Sequence, residues 1–194
     1  MAKRLAIVLT EGYADWECGL LMATARGDGG AETVVLTPGA AGVTSLGGVS
    51  ITSAGAVETV SPDAFDVLVL CGGTIWQSDA APDLSAPVRR FMAAGKPVAG
   101  ICDATLELAR LGLLDERAHT GNFAGQMKQV GPAYRGEALY RNQPQAVRDR
   151  GVITASGAAP VSFAREVLDA IGLGSDELFG YLGMYGDEHR EAPA

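Results

Sequence analysis

The stretch "KPVAGICDATLELARLGLL", residues 96–114, runs from a short apolar segment through one cysteine, Cys102, straight into a helical pattern. Residues 97–101 are apolar or small on both sides of an extended chain. That suits a central parallel strand covered on both faces rather than an amphipathic edge. The pattern from residue 104 onward is helical, so Cys102 falls on the joint between a buried strand and a helix. Two readings of that position are open. Free cysteine is among the most buried residue types and often only packs. A cysteine on a sharp strand-to-helix turn is instead held out of the core and faces the free N–H groups of the new helix, which favour a thiolate.

The same alternation extends outward from this joint. Residues 4–9, 32–37, 65–73 and 151–157 read as strands. Residues 15–26, 83–95 and 160–172 read as helices, with Gly95 as a helix-ending C′ residue. Gly47–Gly48 lies between β-rich flanks, which predicts a small hairpin within residues 42–54. The expected fold is α/β: a doubly wound, flavodoxin-like, mostly parallel sheet with helices on both faces, plus that β-hairpin. One domain is expected over residues 1–185, followed by a charged tail at 186–194. Residues 121–150 show no clean periodicity beyond a helix near 122–130 and a short strand near 137–141.

Composition narrows the function classes. The chain has 194 residues and a net charge of −8, and 47% of its residues are hydrophobic. The acidic balance argues against nucleic acid and against an anionic membrane as partners. The apolar run at residues 5–9 is too short for a signal-peptide core or a membrane span. Three cysteines without a secretion signal argue against a disulfide framework, and the expected location is cytoplasmic. Neither metal-ligand spacing nor a phosphate-binding glycine loop after the first strand is present, so no metal and no cofactor is expected.

In doubly wound folds ligands sit outside the carboxyl ends of the strands. Those ends carry Glu11 and Glu17, Gly72–Gly73, Cys102–Asp103 and Ser156–Gly157. The N–H groups of Asp103 and Gly73 are placed to hold a developing oxyanion, glycine allowing close backbone approach. Cys18 and Cys71 read as packing.

With these motifs in this order, the chain resembles the DJ-1/PfpI (ThiJ) superfamily, which has the class I glutamine-amidotransferase-like fold. The resemblance runs from "KRLAIVLTEGYADWE" through "DVLVLCGG" and the opening stretch to "GVITASGAAPVSFAREVLDAIG". It implies that Cys102 is the elbow cysteine, that Glu17 is the acidic residue contacting it, and that Gly72 and Gly73 form the oxyanion-side loop. It also implies a homodimer and a role in stress response. A protonated Glu17 would donate to the thiolate, lowering the cysteine pKa and raising its own. Asp15 is then expected to cap the helix. Asp103 departs from the pattern: protease-like and glyoxalase-like relatives carry histidine there. This argues against peptidase, deglycase and glyoxalase activity and leaves Asp103 as a helix cap or a base.

His119 reads either as a crevice residue or as a satisfied structural histidine. His189 mimics an amidotransferase triad spacing but lies in the charged tail. Trp16, Trp76 and Phe123 are candidates for the pocket lining or for core, with core favoured for Trp16. The expected function is attack by Cys102 on a small electrophilic substrate, by hydrolysis or hydration. The alternative is a redox sensor in which Cys102 is oxidised without turnover, with a Cys71–Cys102 disulfide conceivable.

Overall fold

The computed structural model describes residues 2–187. Its centre is a six-stranded sheet in the order β2-β1-β5-β6-β8-β7. These are β1 (Arg4–Val8), β2 (Glu32–Leu36), β5 (Val67–Leu70), β6 (Val98–Ile101), β7 (Val147–Asp149) and β8 (Val152–Ala155). All pairings are parallel except the edge pair β7–β8. Two further strands, β3 (Val43–Thr44) and β4 (Ser50–Ile51), form the expected antiparallel hairpin.

Among the described residues six α-helices cover the sheet. They are α1 (Asp15–Gly27), α2 (Ser85–Ala93), α3 (Ala104–Arg110), α4 (Ala124–Val130), α5 (Pro160–Ala170) and α6 (Asp176–Gly186). The period of two along β1 divides them. Leu5 and Ile7 join Leu21 of α1, Phe163 of α5 and Leu178 of α6 in one core. Ala6 and Val8 join Phe91 of α2, Leu106 of α3 and Met127 of α4 in the other. Each fully buried aliphatic of this kind contributes about 2 kcal/mol, so strands sealed on both faces hold their register firmly. That register sets the strand ends level: Val8 pairs with Leu70, and Ile101 with Ala155. The segments after β1, β5, β6 and β8 therefore emerge along one edge of the sheet.

Several local expectations are corrected. Asp15 does not cap α1: Ala14 occupies the cap position, and the Asp15 carboxylate accepts from the Gly47 N–H at 2.9 Å, tying the hairpin to the helix. Residues 137–139 form a 3-10 turn rather than a strand, with only a single bridge between His119 and Tyr140. Gly95 does close α2 in the left-handed conformation, at φ +68°. Among the described residues no helix is long and apolar enough to cross a membrane. His189 lies outside the described residues.

Candidate active site

Cys102 follows β6 directly. Its N–H donates to the Ala155 carbonyl at 2.9 Å, continuing the sheet ladder by one residue. Its φ is then +57°, the left-handed region that a non-glycine residue adopts only under constraint. Thr105 supplies that constraint, since its hydroxyl and its N–H both donate to the Cys102 carbonyl, at 2.6 and 3.1 Å. The turn lifts the sulfur out of the sheet into the space beyond the strand ends, where Cys102 is half-buried.

Glu17, on the first turn of α1, is completely buried there. Its carboxyl group sits between two glycines and the cysteine. A Cβ on Gly72 would overlap Glu17 Oε2 and lie 2.5 Å from Cys102 Cβ, and one on Gly157 would lie 2.9 Å from both Cys102 Sγ and Glu17 Oε1. Neither Glu17 oxygen makes a hydrogen bond of ordinary geometry among the described residues. Burial pushes the Glu17 pKa up to about 7, although the Cys102 thiol and the Gly72 N–H face the group and oppose the rise.

The thiol does not behave as the helix-terminus argument predicts. Burial, followed by the neighbouring Glu17 and Asp103 charges, pushes the Cys102 pKa up to about 12, against the donor Asn122, which lowers it. Two carboxyl groups and desolvation outweigh the terminus of a short helix. Near neutrality the thiol therefore keeps its proton, and the Glu17 carboxyl beside it passes between its protonated and ionised forms.

Asn122 is the residue that sequence reasoning missed. Its Nδ2 donates to Cys102 Sγ at 3.1 Å and to Asp103 Oδ1 at 2.9 Å, while its Oδ1 accepts from the Gly157 N–H at 2.9 Å. Every hydrogen-bonding direction of the amide except one lone pair is thus assigned, which fixes its orientation. It lies in the segment 121–150 whose pattern carried no signal, and an asparagine in a loop offers none beyond turn propensity.

Asp103 does not cap α3 with its side chain. Its carboxylate accepts instead from three amides: Asn122, Gln77 Nε2 at 2.5 Å and Gln126 Nε2 at 3.3 Å. His119 is not brought to the thiol. It is fully buried, with Nδ1 2.7 Å from the Arg117 carbonyl and Nε2 2.6 Å from the Tyr134 hydroxyl. A carbonyl only accepts, so Nδ1 carries the proton and Nε2 accepts from Tyr134. Burial holds its pKa below the usual histidine value.

The remaining candidates separate cleanly. Glu11 accepts from the Thr44 N–H and leaves the crevice. Cys71 is buried, its thiol directed at the Ala14 carbonyl and at Cys18 rather than at Cys102. Trp76 is core, with its indole N–H on the Cys71 carbonyl. Trp16, expected in the core, is exposed at the rim and donates to the Gly157 carbonyl at 3.0 Å. Phe123 projects into solvent beside Asn122.

The comparisons with known proteins give the family of the chain. The model of the DJ-1/PfpI family matches residues 3–170. The chain belongs to the DJ-1/PfpI family. Within reach of the same family, it is 37% identical over 173 residues to the uncharacterized protease YoaZ of Bacillus subtilis, covering 86% of this chain and 82% of that one. The structure of the DJ-1 superfamily protein Atu0886 from Agrobacterium tumefaciens superposes with a TM-score of 0.94 at 46% identity, covering 97% of this chain and 100% of that one. A thiJ/pfpI family protein from Bacillus anthracis gives a TM-score of 0.85 at 30% identity, with 97% and 92% covered. In this DJ-1/PfpI chain a carboxylate held by amides follows Cys102 at position 103, and the one described histidine lies elsewhere in the core.

Proposed function

We propose that Cys102 is the nucleophile of a small-molecule hydrolase or hydratase and that Glu17 is its proton acceptor and donor. The observation that carries this reading is the buried, otherwise unpartnered Glu17 carboxyl group set against a sulfur on a strained elbow. A carboxylate whose pKa is raised to about 7 is matched to taking a proton at neutral pH.

The chemistry follows in balanced steps. Sγ bonds to an electrophilic carbon while its proton passes to Glu17. The π electrons of the substrate C=O or C≡N bond move onto its oxygen or nitrogen. The N–H groups of Gly73 and Asp103, which donate to nothing else among the described residues, are the donors proposed for that charge. In hydrolysis, the leaving group departs with the proton from Glu17, and water then cleaves the resulting thioester. In hydration, water adds to the carbon and Sγ departs, so that only H and OH are gained. Asn122 stabilises sulfur whenever it carries negative charge. The name of the Bacillus subtilis relative is consistent with a hydrolase. Among the described residues no histidine lies beside the thiol, which favours small substrates over peptides. A homodimeric, cytoplasmic protein with a role in stress response belongs to the same proposal.

The test is the pH–rate profile of Cys102 alkylation by iodoacetamide, mapped to each cysteine by mass spectrometry. The wild-type rate is expected to rise through pH about 7 as Glu17 ionises. Glu17→Gln should lose that limb. A single rise near the free-thiol value of about 8.5 in both proteins would refute the assignment.

A second reading rests on the Asn122 donor, which would equally hold an oxygen of an oxidised sulfur. Peroxide treatment separates the two. Accumulation of a stable sulfinic acid at Cys102 with no turnover of any ester, amide or nitrile supports a redox sensor. A covalent adduct that water resolves supports the enzyme.

A further inference from the structure

A cleft of about 520 Å³ opens between the 3-10 turn at Thr74–Gln77 and helix α4, lined by Gln77, Phe123, Gly125, Gln126, Gln129 and Val130. It is joined to the thiol by a chain of three hydrogen bonds: Gln126 to Asp103, Asn122 to Asp103, and Asn122 to Cys102 Sγ. The Asp103 carboxylate has no donor function, so it draws the NH₂ ends of Gln77 and Gln126 toward itself. Their carbonyl oxygens are thereby turned the other way. Neither oxygen accepts a hydrogen bond from any described residue. The cleft thus offers two oriented acceptors and the exposed face of Phe123, with the buried Asp103 carboxylate behind the two glutamines. No lysine or arginine is among the residues that line it.

We infer that this cleft is the binding site for the body of the substrate and that it takes a flat group bearing N–H donors and no negative charge, a carboxamide or an amidine. The Gln77 and Gln126 carbonyls accept from the group's nitrogen, and Phe123 covers its face. A carboxylate or phosphate would meet two carbonyl dipoles and the nearby Asp103 charge, while the nearest guanidinium, Arg110, is turned to the Trp76 and Val130 carbonyls and does not line the cleft. The claim that the bound group is substrate rests on Cys102 acting as the nucleophile. The claim that the cleft binds such groups does not.

The experiment is a titration of the ¹⁵N-labelled protein with benzamide, benzamidine and benzoate, three probes of one size. The side-chain amide signals of Gln77 and Gln126 and the backbone signal of Phe123 are followed. Benzamide and benzamidine should shift all three, and benzoate should bind about tenfold more weakly or worse. In a Gln77→Leu, Gln126→Leu double variant the Phe123 shift with benzamide should be lost. Equal binding of the three probes, a response to benzamidine alone, no response at either glutamine, or an unchanged Phe123 shift in the double variant each overturns the inference. Alkylation of Cys102 in the same samples judges the nucleophile separately. An inert Cys102 with intact benzamide binding sinks the catalytic reading and keeps the cleft, and a reactive Cys102 without benzamide binding does the opposite.

Discussion

The side-chain amide of Asn122 donates to the sulfur of Cys102 across 3.1 Å, and it is aimed there because the Gly157 N–H holds its carbonyl end and Asp103 takes its second proton. It is the one interaction that lowers the Cys102 pKa in a pocket where burial and two carboxyl groups raise it. Asn122→Ala should slow Cys102 alkylation at pH 7.5 by roughly tenfold to a hundredfold, since a hydrogen bond to a charged group contributes about 1.5–3 kcal/mol. Asn122→Asp should slow it further by adding a third carboxylate. Unchanged rates in both would remove Asn122 from the site.

Glu17 ties reactivity to stability. Its pKa in the folded chain stands at about 7, above its ordinary 4.5. A carboxyl group with a raised folded pKa favours the folded state while protonated. Its contribution is present in full below about 4.5 and is lost as pH rises through about 7. Wild-type stability should therefore fall by up to roughly 3 kcal/mol between pH 4.5 and pH 8 on this account. Glu17→Gln should flatten that dependence and be the more stable protein at pH 8, as read from urea midpoints at both pH values. A variant that keeps the wild-type slope would place the titrating group elsewhere.

Two glycines leave room for the pair. A methyl group on Gly72 would overlap the Glu17 carboxyl oxygen and crowd Cys102 Cβ at 2.5 Å, and one on Gly157 would press on Sγ at 2.9 Å. The obstacles at Gly72 are a buried side chain and an elbow fixed by Thr105, so neither can yield easily. Gly72→Ala should cost about 1–3 kcal/mol in denaturant and displace Glu17 from the thiol. Gly157→Ala should cost less and still depress alkylation, because the sulfur and the Glu17 oxygen are the two groups it meets. If Gly72→Ala melts and reacts like the wild type, the packing around Glu17 is looser than these distances require.

The fold was legible because it is written in period and burial: runs such as residues 67–70 and 98–101 can only be buried on both faces, and Gly72–Gly73 mark the end of the first of them. The strand-to-helix turn at Cys102 followed from the same signal, and the resemblance directed attention to Glu17, which the structure buries beside it. What stayed hidden is held by tertiary contact. Asn122 comes to Cys102 from twenty residues later, just ahead of helix α4, where helical spacing says nothing of which strand end the side chain meets. His119 could not be excluded from the site until Tyr134 and the Arg117 carbonyl were seen to occupy both ring nitrogens. Trp16 and Trp76 exchanged roles for a related reason. Helical spacing predicts a face, but the hairpin and the Gly157 loop decide which part of that face is the rim.

The elbow itself can be tested without any substrate. Cys102 holds φ +57°, a conformation in which a Cβ costs about 1–2 kcal/mol and glycine costs nothing. In an ordinary helix or strand, glycine is about 0.5–1 kcal/mol worse than alanine because it loses more freedom on folding. At position 102 the order should reverse. Cys102→Gly should be at least as stable as Cys102→Ala, by up to about 1 kcal/mol, although both lose the same sulfur and the same contact with Asn122. Denaturation midpoints of the two variants, measured side by side, decide it. If alanine proves the more stable, the cysteine is not held in a strained turn. The sulfur would then owe its position to packing alone, and the main structural argument for a dedicated nucleophile would fall with it.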